Sequence, residues 1–327
     1  MRPTRIRVIK MKKHQIIIAL LICFGLTFIF SSCEKDFEGL RSSKIEGLTT
    51  DNYPKVDGST SAEPLSAIIF CKLFDVRYKW VSDFQNLQKI EPKLKKEDID
   101  KFWNLIKTSA THQSYINLID KKADLVLNAR KMSSDEKENA ESVGVSLIET
   151  PIVLDALVFI VNPKNPVTSL TSKQIQDIYT GKITNWKEVG GNDRKIQPYV
   201  RNRNSGSQEL MEEFFDVADY PVNNDELVVF NMKGAFDAII GNVDGICYTV
   251  YYYKEYIAKG FDAKSVTMDG VYPDKTTIGN KSYPCVAPVY AVIRSDLDKL
   301  SMAYKLYQWI QTESGKQTIN ESGYVSY

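Results

Sequence analysis

Residues Gln197 to Phe215 read QPYVRNRNSGSQELMEEFF. The spacing predicts a strand, a turn carrying Arg201 and Arg203, then Asn-Ser-Gly-Ser opening an amphipathic helix. A helix start exposes unpaired backbone NH groups and a partial positive charge, and a guanidinium beside it deepens the preference for an anion. The stretch therefore reads as a holder for something negative, the alternative being an ordinary helix cap flanked by solvated arginines. Strand, turn and helix in this order are also the repeating step of an α/β protein.

The same step recurs on both sides. YPKVDGSTSAEPLSAIIFCKLF (53–74) reads as a strand, a Gly-Ser turn and a helix with Leu65, Ile68, Ile69 and Leu73 on one face. A charged helical region covers about Lys93 to Ile106, and a helix from about Gln113 leads into a strand, Ala123 to Asn128. Ile152 to Val161 is nearly all apolar, as expected of a strand buried on both faces. After Pro163 and Pro166 a new unit begins with a helix bearing Ile175, Ile178 and Tyr179, stopped at Gly181 and followed by a Gly190-Gly191 turn. A helix and strand within 225–256, an apolar strand PCVAPVYAVI (284–293) and a last helix from Ser301 to Gln311 complete the chain. This alternation predicts parallel or mixed sheets flanked by helices, in two lobes: residues 53–155 with 251–327, and residues 156–250. A ligand is expected in the cleft between them, where strand ends and helix starts converge.

The first 32 residues stand apart. Arg2, Arg5, Arg7, Lys10, Lys12 and Lys13 precede a 15-residue apolar run, Ile16 to Phe30, and Ser31-Ser32-Cys33. A basic start, a short apolar core and small residues at the end make a secretory signal. Cys33 reads as the lipidated first residue of a bacterial lipoprotein, although Phe30 stands where such signals usually carry Leu, and 33–52 reads as a tether. The mature chain then carries 36 basic against 41 acidic residues, a net of −5, which argues against nucleic-acid binding through a broad basic face. Any anion site must be local. His112 is the one mature histidine and no CxxC pair exists, so zinc fingers and HExxH proteases are excluded and no metal is expected. Cys247 and Cys285 are expected as buried strand thiols rather than a disulfide.

Three segments share one chemistry: Gly58 to Glu63, Thr108 to Ser114, and Arg201 to Gln208. Each offers NH and OH donors before a helix, and Thr60/Glu63 and Ser205/Gln208 have capping-box spacing. Ser133/Glu136 and Thr171/Gln174 share that spacing with nothing to suggest a ligand. The order DGSTSAEPL, LTSKQIQDIYTGKITNWKEVGG, RNRNSGSQE resembles the substrate-binding proteins of bacterial phosphate ABC transporters, the PstS-like branch of the type II periplasmic binding fold, over residues 54–327.

The resemblance implies that Thr60, Ser61, Thr111, Arg201, Ser205, Gly206 and Ser207 hold phosphate, with Ser59, His112, Arg130, Asp155 and Arg203 as further candidates. Many phosphate-specific members place an aspartate, which accepts the proton of phosphate, where this chain has Ala129. Asp155 is a substitute acceptor in one reading and a strand-end acid bound to backbone in the other. His112, if it contacts the anion as a cation, makes affinity fall above about pH 6.5. Tyr251 to Tyr253 read as packing near the lobe crossing.

The implied function is a monomeric, cofactor-free receptor lipoprotein of the bacterial cell envelope that closes on inorganic phosphate or a similar oxyanion and delivers it to an ABC permease. The alternatives are a surface-anchored sensor of an oxyanion or phosphometabolite without a transport role, and a serine hydrolase acting through Ser205 or Ser207. The hydrolase needs an activating base and finds no GxSxG elbow in the chain.

Overall fold

A computed structural model describes residues 44–217 and 225–327; the signal segment and Cys33 lie outside them. Within this range the expected alternation holds. From the N-terminus come β1 (Val56–Gly58), α1 (Glu63–Leu73), β2 (Tyr78–Ser82), β3 (Gln88–Pro92), α2 (Lys96–Leu105), α3 (Thr111–Ile119), β4 (Leu125–Asn128) and α4 (Ser134–Ser142). Next are β5 (Leu147–Val161), β6 (Ser169–Leu170), α5 (Ser172–Tyr179), β7 (Gln197–Pro198), β8 (Val200–Arg201) and α6 (Gly206–Phe215). The remainder is β9 (Val228–Val229), α7 (Met232–Gly241), β10 (Gly245–Val250), β11 (Lys264–Ser265), β12 (Thr267–Met268), α8 (Lys275–Gly279), β13 (Val286–Arg294), α9 (Met302–Ile310), α10 (Glu313–Ser322) and β14 (Val325–Ser326).

The principal sheet runs β1-β4-β13-β5-β10-β7 and is mixed: β1 lies parallel to β4 and β10 to β7, while β13 and β10 run antiparallel to β5. β5 joins two halves. Residues up to Ala156 pair with β13, and from Leu157 onward the strand pairs with β10. Its buried run, Ile152 to Val161, matches the apolar stretch in the sequence, because a strand covered on both faces has no polar side to alternate with. α1 follows the same logic, apolar on nearly all sides and buried, with Pro64 in its first turn.

Five sequence expectations change. Residues 44–52 are not a free tether: Ile45 and Leu48 pack on the core, and Asn52 and Thr49 exchange hydrogen bonds. The β2–β3 hairpin was unpredicted, since its half-exposed strands carry little hydrophobic alternation. α3 starts at Thr111, two residues before the expected Gln113, and a further helix, α10, follows the one expected to be last. Thr60 and Glu63 form no capping box, because a 3-10 turn over Thr60–Ala62 precedes α1, and Glu63 instead accepts from Thr108 Oγ1 at 3.0 Å. The boxes Ser133/Glu136 and Thr171/Gln174 do form.

Cys71, Cys247 and Cys285 are buried free thiols, and burial pushes the Cys247 thiol up to about 12. The tyrosine run packs at the crossing as expected: Tyr252 and Tyr253 are buried, and the Tyr252 ring stacks on Tyr324 at 3.6 Å.

Candidate functional site

Three backbone turns meet at one point. After β1 the chain must pass close to β4, and a Cβ on Gly58 would sit 2.2 Å from Leu127 O, so only glycine fits. Asp57, buried beside it, accepts from Gly58 N and Ser109 N through Oδ1 (2.7 and 2.8 Å) and from Asn117 Nδ2 through Oδ2 (2.7 Å). It thereby fixes the Thr108–Ala110 loop against the first turn. Ala110, at φ 66° and ψ 165°, sits at the start of α3 in a conformation that costs a non-glycine residue of the order of 1–3 kcal/mol. Ser59 Oγ lies 2.7 Å from Thr111 Oγ1 and accepts from Ala129 N at 2.9 Å, tying the first two turns to the end of β4. Tyr324 OH donates to Ser61 O at 2.9 Å.

The third turn leaves β8. Arg201 is 5% exposed; its Nε donates to Val229 O at 3.1 Å, its Nη1 lies 3.0 Å from Met232 Sδ, and its backbone N donates to Tyr248 OH at 3.0 Å. Ser205 caps α6, its Oγ accepting from Gln208 N at 3.2 Å. The Gln208 side chain does not complete the expected box; its Oε1 accepts from Tyr248 OH instead.

Thr60, Ser61, Thr111, Arg201, Ser205, Gly206 and Ser207, with Ser59, all line one cavity of about 50 Å³, closed by Ala110, Ala129, Met232 and Val250. No carboxylate among the described residues lines it. Burial pushes the Arg201 guanidinium below its ordinary value, and the groups that oppose this are Cys247, Tyr248 and Tyr253, none of them a carboxylate. A cation removed from water without a counter-charge is costly, and no carboxylate among the described residues answers Arg201.

A wider cavity of about 490 Å³ adjoins it, sharing Thr60, Ala110, Arg201, Ser205 and Met232 and bounded by His112, Asn202, Arg203, Phe230 and Lys233. His112 and Arg203 therefore belong to this outer chamber and not to the inner pocket. His112 Nδ1 is 2.9 Å from Glu136 Oε1. Arg130 is removed from the candidate contacts: its guanidinium makes a two-pronged bond to the fully buried Glu136 at 2.7 and 2.8 Å. Asp155 is not an acceptor at the pocket either. Its Oδ1 accepts from Tyr252 N (3.0 Å) and Ala156 N (2.8 Å), stapling β5 to the segment leaving β10.

Sequence reasoning missed Met232, which closes the pocket from the start of α7, and Asn204, whose Nδ2 donates to Asp135 Oδ2 at 2.9 Å. A thioether in a helix start carries no chemical signal, and the Asn204–Asp135 contact joins residues 69 apart.

The family model for the PBP superfamily domain matches residues 106–311. The phosphate-binding protein PstS of Borreliella burgdorferi is 26% identical over 215 residues, 64% of this chain and 74% of that protein. The PstS of Staphylococcus epidermidis is 27% identical over 205 residues, 61% of this chain and 62% of that protein. Among solved structures, a Clostridium perfringens protein assigned as a phosphate ABC transporter substrate-binding protein, with bound phosphate, superposes with a TM-score of 0.62 at 24% identity, covering 83% of this chain and 98% of that one.

Proposed function

The chain belongs to the PBP superfamily, and from that premise we propose that it is a phosphate receptor of an ABC importer. The observation that carries this is Arg201, a buried guanidinium with no carboxylate neighbour among the described residues, facing a pocket walled by hydroxyls and two helix starts. Charge-assisted bonds contribute roughly 1.5 to 3 kcal/mol each and neutral ones about 1, so this donor set reaches the roughly 8 kcal/mol of micromolar affinity.

In this reading Thr60, Ser61, Thr111, Arg201, Ser205, Gly206 and Ser207 hold the anion, and the two lobes are residues 53–155 with 251–327 and residues 156–250, turning about the Ala156–Leu157 switch in β5. The protein acts as a monomer, held by a lipid on Cys33 in the bacterial cell envelope, and passes its ligand to a permease. It is a binder and not a hydrolase, a view supported by His112, whose Nδ1 faces Glu136 rather than either serine.

The test is isothermal titration with phosphate and with sulfate, on the wild type and on Arg201→Ala. Phosphate binding that collapses in the variant is the expected result. Failure of the wild type to bind either anion would sink the phosphate reading and leave the fold intact.

A further inference from the structure

Building on the phosphate reading, we propose that the site takes the terminal phosphoryl group of a small phosphate monoester of the polyol or sugar class, with its organic part in the outer chamber. Three features of the cleft lead there.

The inner pocket is arranged to donate. The Ser205 hydroxyl already accepts from Gln208 N, which leaves its proton to be given away, and no carboxylate among the described residues lines either cavity. A phosphate monoester, with a second pKa near 6, presents three terminal acceptor oxygens and no proton at neutral pH. Inorganic phosphate at the same pH always keeps a proton that asks for an acceptor.

The space continues where an ester would extend. Asn204 is bonded to Asp135, and Gly206 lies so close to Thr111 that a Cβ would meet its Oγ1 at 2.7 Å. The two sides of the cleft are therefore already in contact, yet about 490 Å³ stays open beside a pocket of about 50 Å³. A bare phosphoryl group fills only the second.

The wall of the chamber also carries an unanswered acceptor just beneath its surface. Asn202 Oδ1 is buried and has no hydrogen-bond partner among the described residues, and Asn202 lines the chamber with the donors Arg203 and Lys233 and the apolar Leu87 and Phe230. With a turn of the Asn202 amide toward the chamber, a hydroxyl on the organic part would donate to Oδ1, and the ring or chain would lie against Leu87 and Phe230.

Titration of the purified full-length protein with inorganic phosphate, glycerol 3-phosphate, glucose 6-phosphate and glycerol tests this, on the wild type and on Asn202→Ala. At least one ester is expected to bind tenfold or more tighter than inorganic phosphate, and Asn202→Ala to remove that margin while inorganic phosphate changes less than twofold. Inorganic phosphate binding with both esters tenfold weaker overturns the proposal and leaves the phosphate reading standing. An ester margin that survives Asn202→Ala overturns it as well. If no phosphate species binds, both fall.

Discussion

Gly206 and Thr111 meet across the cleft with no atom to spare: a methyl on Gly206 would stand 2.7 Å from Thr111 Oγ1, which is itself held 2.7 Å from Ser59 Oγ. Gly206 is the first residue of α6 and its φ is not positive, so alanine suits its backbone. Gly206→Ala should lower the melting temperature only slightly, since helix propensity offsets part of the clash, while weakening phosphate binding at least tenfold, about 1.4 kcal/mol. Unchanged affinity by calorimetry would show that the two turns do not need this approach.

Arg201 cannot be replaced by the other cation. Arg201→Lys keeps a charge but loses the fork that bonds Val229 O through Nε while presenting its terminal nitrogens to the pocket. The expected loss of phosphate affinity is about 2 to 3 kcal/mol, and a lysine variant within threefold of wild type would show that charge alone suffices.

Asn204 latches the cleft. Its side chain bonds Asp135 on α4, and its backbone has φ 65°, a conformation glycine adopts freely. Asn204→Gly therefore removes the bond without straining the turn. Stopped-flow release of phosphate is expected to quicken about three- to tenfold, by the roughly 1 kcal/mol of one hydrogen bond, with the association rate little changed.

Asp155 makes stability depend on pH. Burial, opposed by hydrogen bonds from Tyr252 N and Ala156 N, raises its carboxyl from 3.8 to about 7, and its Oδ2 has no partner among the described residues. The folded state thus keeps a proton that the unfolded chain has lost. This contribution is fully present below about pH 4 and disappears as pH rises through about 7, a span on the order of 4 kcal/mol. Asp155→Asn keeps the acceptor and removes the titration, so the variant should gain on wild type between pH 4.5 and pH 8 in urea unfolding. A difference that stays constant with pH would refute the assignment.

Glu136 is the acceptor for Arg130, for His112 and for Ser133 N, with its side chain fully buried. Glu136→Ala leaves the Arg130 charge buried and unpaired, and should cost about 3 to 5 kcal/mol of unfolding free energy. A loss below 1 kcal/mol by chemical denaturation would mean that water reaches Arg130.

Much of the architecture is legible in local pattern. Ile152 to Val161 announces a strand covered on both faces, Gly181 marks a helix stop at φ 75°, and Arg201 to Ser207 announces a donor-bearing helix start. The hairpin at Tyr78–Pro92 was not legible because its half-exposed strands are weakly patterned, and the packing of Ile45 and Leu48 was not because it depends on a core assembled from distant segments.

By itself the sequence determined the α/β alternation, the local character of any anion site and the donor-bearing turns that form it, since helix starts, hydroxyls and a lone arginine express their chemistry within a few residues. Only the tertiary structure decided which buried charges stay free. Arg130 and Arg201 are equally hidden, but the fold brings Glu136 to the first and, among the described residues, no carboxylate to the second. Asp155, likewise, was drawn away from the pocket to the strand crossing, where two backbone amides satisfy one of its oxygens. Such partnerships depend on which distant segments the sheet brings together, and a charge has its function settled by the neighbour it meets there.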